Sequence, residues 1–156
     1  MLGVGALAHL PLGAPAAGAA IRLAIRTAAG KIEICRDVPA EDLAKLPLHM
    51  RQARLCTEQP VAYRLTLAVD GIEIHATRAE RRGLRSDRPL VIDDLVEIPA
   101  GRHAITVRLE PEVPRGTPDT AAALLPRGEL RQTVDLAAGR IALVTWQAGP
   151  GLTIRQ

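Results

Sequence analysis

Two cysteines and two further side chains that can bind soft metals lie in the first half of the chain. Cys35 and Cys56 are the only cysteines, and His49 and Met50 lie between them. In an exported chain, a single pair of cysteines most simply forms a disulfide. On the chain-entropy account, closing a loop of about 20 residues stabilises a fold by roughly 3 kcal/mol. We therefore predict a disulfide between Cys35 and Cys56.

The same residues could instead hold a metal. Thiolate, imidazole and thioether groups suit copper(I) or zinc, so Cys35, His49, Met50 and Cys56 could form a metal or redox carrier site. Their spacing is irregular, and the sequence has neither Cys-x-x-Cys nor the haem-attachment motif Cys-x-x-Cys-His. Two free thiols are the third alternative. The disulfide is favoured, and no cofactor is predicted.

The densest basic run lies between residues 78 and 88 and reads RAERRGLRSDR. Guanidinium groups bind carboxylates and phosphates through two parallel hydrogen bonds. The run, together with His49 and Arg51 of an earlier loop, is therefore predicted to contact an anionic lipid headgroup or an acidic patch on a protein. The arginines of the run are Arg78, Arg81, Arg82, Arg85 and Arg88. The alternative, which we favour from the sequence, is a solvated loop with local partners in Glu80, Asp87, Asp93 and Asp94.

The residues that could perform acid–base or nucleophilic catalysis form no recognised motif. The only serine, Ser86, lies in the arginine-rich run, and the chain contains no Gly-x-Ser-x-Gly. Asp93 and Asp94 would point to opposite faces of a strand and could not act as a pair. There is no glycine-rich phosphate loop. We predict that the protein is not an enzyme; an active site would require His75, His103 and Asp94 to line one pocket.

Composition limits the remaining function classes. The chain has 156 residues, about the size of one domain, and is 47% hydrophobic. One Trp, one Tyr and no Phe leave the core to aliphatic side chains and provide no aromatic platform for stacking bases. The net charge of +3 is small, and acidic and basic residues are interspersed. Nucleic-acid binding is therefore not expected.

The first 20 residues contain no Asp, Glu, Lys or Arg and are rich in Ala, Leu and Gly. Ala17-Gly18-Ala19 has the small-x-small pattern of a signal-peptide cleavage site. A membrane anchor is the competing interpretation, although Pro11 and Pro15 make a poor spanning helix. We predict that residues 1–20 are a signal peptide or anchor and that 21–156 form one domain. The domain would be periplasmic, or extracytoplasmic and attached to the membrane through 1–20.

The segment Val61–Ile74 has the clearest structural signal. Its first half alternates apolar and polar residues, which predicts a strand with one buried face. Asp70-Gly71 suits a two-residue type I′ turn, in which both residues adopt positive φ. Ile72 and Ile74 then alternate with polar residues, so the segment predicts a β-hairpin.

The remaining elements are mostly short strands. Ile21–Thr27 and Lys31–Cys35 alternate around Gly30 and predict a first hairpin, whereas Pro39–Leu46 predicts a short helix that turns Leu43 and Leu46 to the core. Residues 48–60 show no period and are predicted to be an ordered loop. Further strands are predicted at 90–98, 103–109, 130–136, 141–146 and 151–155, with a turn at 137–139 and one helical turn at 121–125. Eight or nine short strands with one short helix predict an all-β fold, an antiparallel β-sandwich.

The sequence Glu97-Ile-Pro-Ala-Gly-Arg-His-Ala-Ile-Thr-Val107 resembles an element of bacterial transthyretin-like and PEGA-type β-sandwich modules. In those modules, Pro-x-Gly-x-His/Tyr leads into a strand of alternating aliphatic residues, and Val69-Asp-Gly71 fits the same style. The resemblance extends over about residues 61–109. It implies an Ig/transthyretin-like sandwich that acts as a binding or surface module, and it transfers no catalytic residues.

These observations predict an exported or membrane-anchored, non-enzymatic β-sandwich module that binds a protein partner, as an accessory to a membrane complex. The alternative function is the metal or redox carrier described above.

Overall fold

A computed structural model of the chain describes residues 18–28, 30–83 and 87–156. Most of the predicted signal peptide or anchor, and Arg85 of the arginine-rich run, lie outside the described residues. The strands are β1 Ala19–Thr27, β2 Lys31–Asp37, β3 Arg54–Pro60, β4 Ala62–Val69, β5 Ile72–Ala79, β6 Leu90–Ile98, β7 Gly101–Glu112, β8 Gly128–Leu136, β9 Ile141–Gln147 and β10 Gly151–Arg155. Two five-residue helices are α1 Ala40–Ala44 and α2 Asp119–Ala123, and a 3₁₀ turn spans Leu48–Met50.

The all-β prediction is confirmed, with ten strands and two short helices across the described part of the chain. Two sheets have four strands each, in the orders β10-β9-β1-β6 and β5-β4-β7-β8. β2 and β3 form a separate two-stranded sheet. Neighbouring strands are antiparallel except for β1 and β9, which pair in parallel.

Alternation along the strands builds one apolar core. In β1, Ile21 and Leu23 are fully buried, whereas Arg22 between them is exposed. In β4, Tyr63 and Leu65 are likewise fully buried. Side chains of both four-stranded sheets join one buried cluster. Burial of each Leu or Ile contributes about 1.5–3 kcal/mol, so this cluster is the main source of stability.

The hairpin predicted at Val61–Ile74 is confirmed as β4 and β5. Asp70 has φ 52° and Gly71 has φ 84°, as a type I′ turn requires. The pairing shifts between Leu67 and Ala68, and Ile74 is the extra residue of this β-bulge. The bulge shifts by one residue the pattern of side chains that point to each face of β5.

Two predictions about β1, β2 and β3 are wrong. β1 forms no hairpin with β2, because it pairs with β6 on one side and β9 on the other. Residues 54–60 are a strand and not a loop, since β3 pairs with β2 from Lys31↔Pro60 to Asp37↔Arg54. β3 was not predicted because six of its seven residues are exposed. A strand without a buried face has no alternation of apolar and polar residues.

The other local predictions differ in smaller ways. A helix lies at 40–44, within the predicted 39–46, but Leu43 is only half-buried and Leu46 is exposed. The predicted helical turn at 121–125 is α2, shifted by two residues toward the N-terminus. β1 begins at Ala19, which is buried, so the first strand includes the end of the segment assigned to targeting. No helix in the described part of the chain has the length and hydropathy needed to cross a bilayer.

Candidate functional site: an arginine cleft and a disulfide-stapled arm

The terminal strands of the two four-stranded sheets lie beside each other. β5 ends one sheet and β6 ends the other. His75 Nε2 on β5 lies 3.0 Å from Asp94 Oδ2 on β6, so a side-chain hydrogen bond links the two edges. The connection between the strands contains the arginine-rich run predicted to bind anions.

Arg81 shapes this connection. Its guanidinium donates hydrogen bonds to three backbone carbonyl oxygens, from Nε to Arg88 (2.9 Å), from Nη1 to Ala28 (2.8 Å) and from Nη2 to Asp87 (3.2 Å). Three of its five N–H donors are therefore committed to the main chain. Arg81 ties the connection to the end of β1.

Arg78 has two carboxylate partners. Its Nε lies 2.6 Å from Glu112 Oε2, and its Nη1 bonds Glu80. Because Arg78 lies on β5 and Glu112 on β7, the contact crosses the outer face of the sheet. The charge of Arg78 is thus balanced locally, as the solvated-loop alternative predicts.

A cavity of about 550 Å³ is bordered by arginines that lack carboxylate partners within the described residues. Arg26, Arg82 and Arg88 line it together with Glu80, Pro89 and Val91. We call this the arginine cleft. Within residues 18–28, 30–83 and 87–156, no carboxylate forms an ion pair with Arg26, Arg82 or Arg88. The cleft therefore carries a surplus of positive charge.

Arg26 was missed by the sequence analysis. The alternation of β1 places Arg22 and Arg26 on the exposed face, but the sequence does not show what lies beside them. The register pairs Arg26 with Val91 on β6, next to the arginine-rich run. Arg22, by contrast, bonds both carboxylate oxygens of Asp93 at 2.9 Å.

A second cavity, of about 530 Å³, adjoins the first between β5 and β6. Its carboxylates already have partners: Arg22 bonds Asp93, His75 bonds Asp94 and Arg78 bonds Glu80. The hydrogen bond from Arg22 lowers the pKa of Asp93. Asp93 and Asp94 thus contact different partners.

The two histidines considered for catalysis have separate partners. His75 bonds Asp94, which lines the second cavity, whereas His103 Nδ1 lies 2.7 Å from Asp70 Oδ2 at the turn between β4 and β5. His103 does not line either cavity beside Asp94. His75, His103 and Asp94 therefore do not line one pocket, which is the arrangement that an active site would have required.

Residues 31–60 form a second exposed feature, which we call the arm. It consists of β2, α1, the 3₁₀ turn and β3. Cys35 and Cys56 face each other across the two strands and form the predicted disulfide, with Cα atoms 4.0 Å apart. At the base, Ile32 is buried in the core. A lone two-stranded sheet is marginally stable in water, so the disulfide closes an element that has little core of its own.

The end of the arm carries His49, Met50 and Arg51, all exposed. Arg51 donates hydrogen bonds to the backbone oxygens of Leu46 (2.9 Å) and Ala44 (3.4 Å). These oxygens lie at and just after the end of α1, where no further helical turn supplies donors. Arg51 therefore holds the turn in shape.

The disulfide occupies both sulfurs of the alternative metal site. The ligand atoms of Glu33, Cys35 and Cys56 lie within 4.8 Å of one another. Glu33 was not among the ligands predicted from the sequence. Metals bind thiolates, and both sulfurs are engaged in the disulfide, so only the reduced chain would offer this ligand set.

Comparison with known proteins gave no match to a family model, to a curated protein or to a solved structure.

Proposed function

We propose that the protein is an exported or membrane-anchored, non-enzymatic β-sandwich module that binds an acidic segment of a protein partner in the arginine cleft. The partner belongs to a membrane complex to which this protein is an accessory.

The β-sandwich, of Ig or transthyretin-like type, is supported by the shared core. Each four-stranded sheet turns one apolar face inward, and both faces contribute to a single buried cluster. Two packed layers around one core are the usual solution for sheets with one apolar face.

Export is supported by the disulfide and by the sequence of residues 1–20. Disulfides persist in oxidising compartments and are rare in the cytosol of mesophiles. Cys35 and Cys56 form one across the arm.

Anion binding is carried by one observation: Arg26, Arg82 and Arg88 surround a cavity and have no carboxylate partner among the residues that the structure describes. Guanidinium groups held close together repel one another, and an anion relieves the repulsion. Carboxylates match the planar donor geometry of Arg, and Pro89 and Val91 add apolar contact. An acidic segment with an aliphatic side chain fits both features.

An octaglutamate peptide serves as the probe. The variant R26Q/R82Q/R88Q should bind it about tenfold more weakly at low salt, since each exposed pair contributes modestly. The matched control R115Q/R140Q/R155Q removes the same charge from exposed arginines elsewhere and should change the affinity by less than about twofold. Equal weakening in both variants, or no binding by the unmodified protein, would overturn the proposal.

A photocrosslinking residue at position 91 then tests the partner in the cell that makes the protein. The crosslinked protein should disappear when R26Q/R82Q/R88Q is added and should persist with R115Q/R140Q/R155Q. A crosslink that survives both sets of substitutions would place the partner contact outside the arginine cleft.

The second candidate function is a metal or redox carrier using Cys35, His49, Met50 and Cys56. Glu33 lies close to the two sulfurs, which favours a metal site in the reduced chain; His49 does not belong to this ligand group among the described residues. Mass spectrometry under native conditions with zinc, before and after reduction, tests it. A metal adduct confined to the reduced chain and lost in C35S/C56S would support this function.

A further inference from the structure

We propose that the end of the arm docks on the surface of a membrane that contains anionic lipids. This contact is separate from the arginine cleft and does not depend on the function proposed for it. The residues concerned lie between 45 and 55, where the chain leaves α1, makes the 3₁₀ turn and enters β3.

Large apolar side chains are exposed at this end. Leu48 and Met50 in the 3₁₀ turn are 81% and 56% exposed, and Leu46 and Leu55 beside it are 37% and 40% exposed. None of them belongs to the core cluster or packs against it. Soluble domains rarely display several such side chains within one short segment unless the surface meets a partner or a membrane.

Basic residues are interleaved with these apolar ones. From Leu43 to Thr57 the chain contains Lys45, Arg51 and Arg54, together with His49, and no Asp or Glu. Apolar side chains that enter the interface, flanked by cations that meet the headgroups, are the composition of a membrane-surface element. Basic residues near the bilayer are attracted to anionic lipids, so charge complementarity selects the membrane as the occupant.

Acidic residues also lie at this end of the arm, and Asp37 on β2 is opposite Arg54 on β3 in the strand register. Asp37 ends β2, and Glu41 and Asp42 are in the first turn of α1. Asp42 Oδ1 accepts a hydrogen bond from Lys45 Nζ at 2.9 Å and offsets part of its charge. Within the described residues, Arg51 and Arg54 form no ion pair, so the cations without one lie on the turn and on β3, alongside the exposed apolar residues.

The arm holds these side chains away from the body of the protein. The disulfide joins β2 to β3, and Arg51 fixes the turn through its two bonds to backbone oxygens. The disulfide and Arg51 restrict the conformations of the segment that carries the apolar residues, which lowers the cost of ordering it on binding.

Flotation of the full chain with lipid vesicles tests the proposal. Vesicles of phosphatidylcholine mixed with phosphatidylglycerol should bind the protein more strongly than vesicles of phosphatidylcholine alone. L48S/M50S should weaken partitioning about tenfold, and R54Q should reduce the preference for phosphatidylglycerol. All variants retain residues 1–20, so any contribution of that segment is the same throughout.

Matched controls are available on the same chain. I72S/L124S changes two apolar residues that are 69% and 85% exposed but lie outside the arm, and it should leave partitioning unchanged. Brominated lipids should quench the fluorescence of the tryptophan introduced by L48W, whereas they should not quench that of the tryptophan introduced by L124W.

Three results would overturn the proposal. The first is equal partitioning of L48S/M50S and I72S/L124S. The second is loss of binding only in R26Q/R82Q/R88Q, which would assign the lipids to the arginine cleft. The third is a dimer in sedimentation that L48S/M50S abolishes, without vesicle binding, which would show that a second copy covers the arm.

Discussion

His103 and Asp70 join the start of β7 to the tip of the β4–β5 hairpin. His103 Nδ1 lies 2.7 Å from Asp70 Oδ2, and Asp70 Oδ1 accepts a hydrogen bond from the backbone N–H of Ala104 at 2.8 Å. On the other side of the ring, Nε2 lies 3.0 Å from the carbonyl oxygen of Pro99. Carboxylate and carbonyl oxygens only accept hydrogen bonds, so the doubly protonated imidazolium satisfies both contacts. The hydrogen bond with Asp70 raises the pKa of His103, and the same bond lowers the pKa of Asp70.

The free energy of unfolding should depend on pH through this pair. Because the pKa of folded His103 is raised, its contribution is fully present below the ordinary value of about 6.5 and is lost as the pH rises through the folded value. The lowered pKa of Asp70 gives a contribution present above about 3.9 and lost as the pH falls through the folded value. Urea unfolding between pH 5 and 9 should show the stability difference between the protein and H103Q shrinking with rising pH.

H49Q provides a control substitution, because His49 is exposed on the arm. It should change the free energy of unfolding by less than about 0.5 kcal/mol. A stability difference for H103Q that stays constant across the range, or an NMR titration of His103 below 6.5, would contradict the assignment.

Replacement of Tyr63 by Phe should stabilise the protein. Tyr63 is fully buried, and its hydroxyl has no hydrogen-bond partner among the described residues. Burial raises the pKa of this hydroxyl to about 12. Removing a buried, unsatisfied hydroxyl should raise the free energy of unfolding by about 1 kcal/mol, measured as a higher urea midpoint with an unchanged slope. A lower midpoint for Y63F would show that the hydroxyl is bonded.

Loss of the disulfide should loosen the arm more than the core. The bond spans 21 residues and would stabilise the closed loop by up to about 3 kcal/mol. Among the described strands, β2 and β3 pair only with each other, so C35S/C56S should accelerate hydrogen exchange over residues 31–60. β4 and β7, in the four-stranded sheet, should keep their protection. Equal loss of protection in β4 would mean that the arm supports the core.

Substitution of Arg81 should affect mainly the stability of the protein, whereas substitution of Arg82 should affect mainly peptide binding. R81Q removes donors to three backbone oxygens and should lower the free energy of unfolding by about 1–2 kcal/mol. R82Q removes a guanidinium that has no carboxylate partner in the described part of the chain, so stability should stay within about 0.5 kcal/mol while octaglutamate binding weakens. Thermal unfolding and peptide titration of both variants measure the two effects. The reverse pattern would exchange the roles assigned to them.

The strands and turns of this protein were largely predictable because they follow local patterns. The alternation of Ile21, Leu23 and Ile25 requires one buried face, and Asp70-Gly71 suits a turn with two positive φ values. Both properties are determined by residues close together in sequence. The disulfide was predictable from composition, because the chain contains only two cysteines.

Tertiary structure alone decided which strands pair and which side chains meet. Backbone hydrogen bonds are chemically the same for every strand, so alternation in β1 could not show that its neighbours are β6 and β9. The place of Arg26 beside Arg82 and Arg88 depends on that pairing, and β3 became a strand only because β2 pairs with it. Alternation reports a buried face, whereas the choice of neighbour is made by packing between residues far apart in the chain.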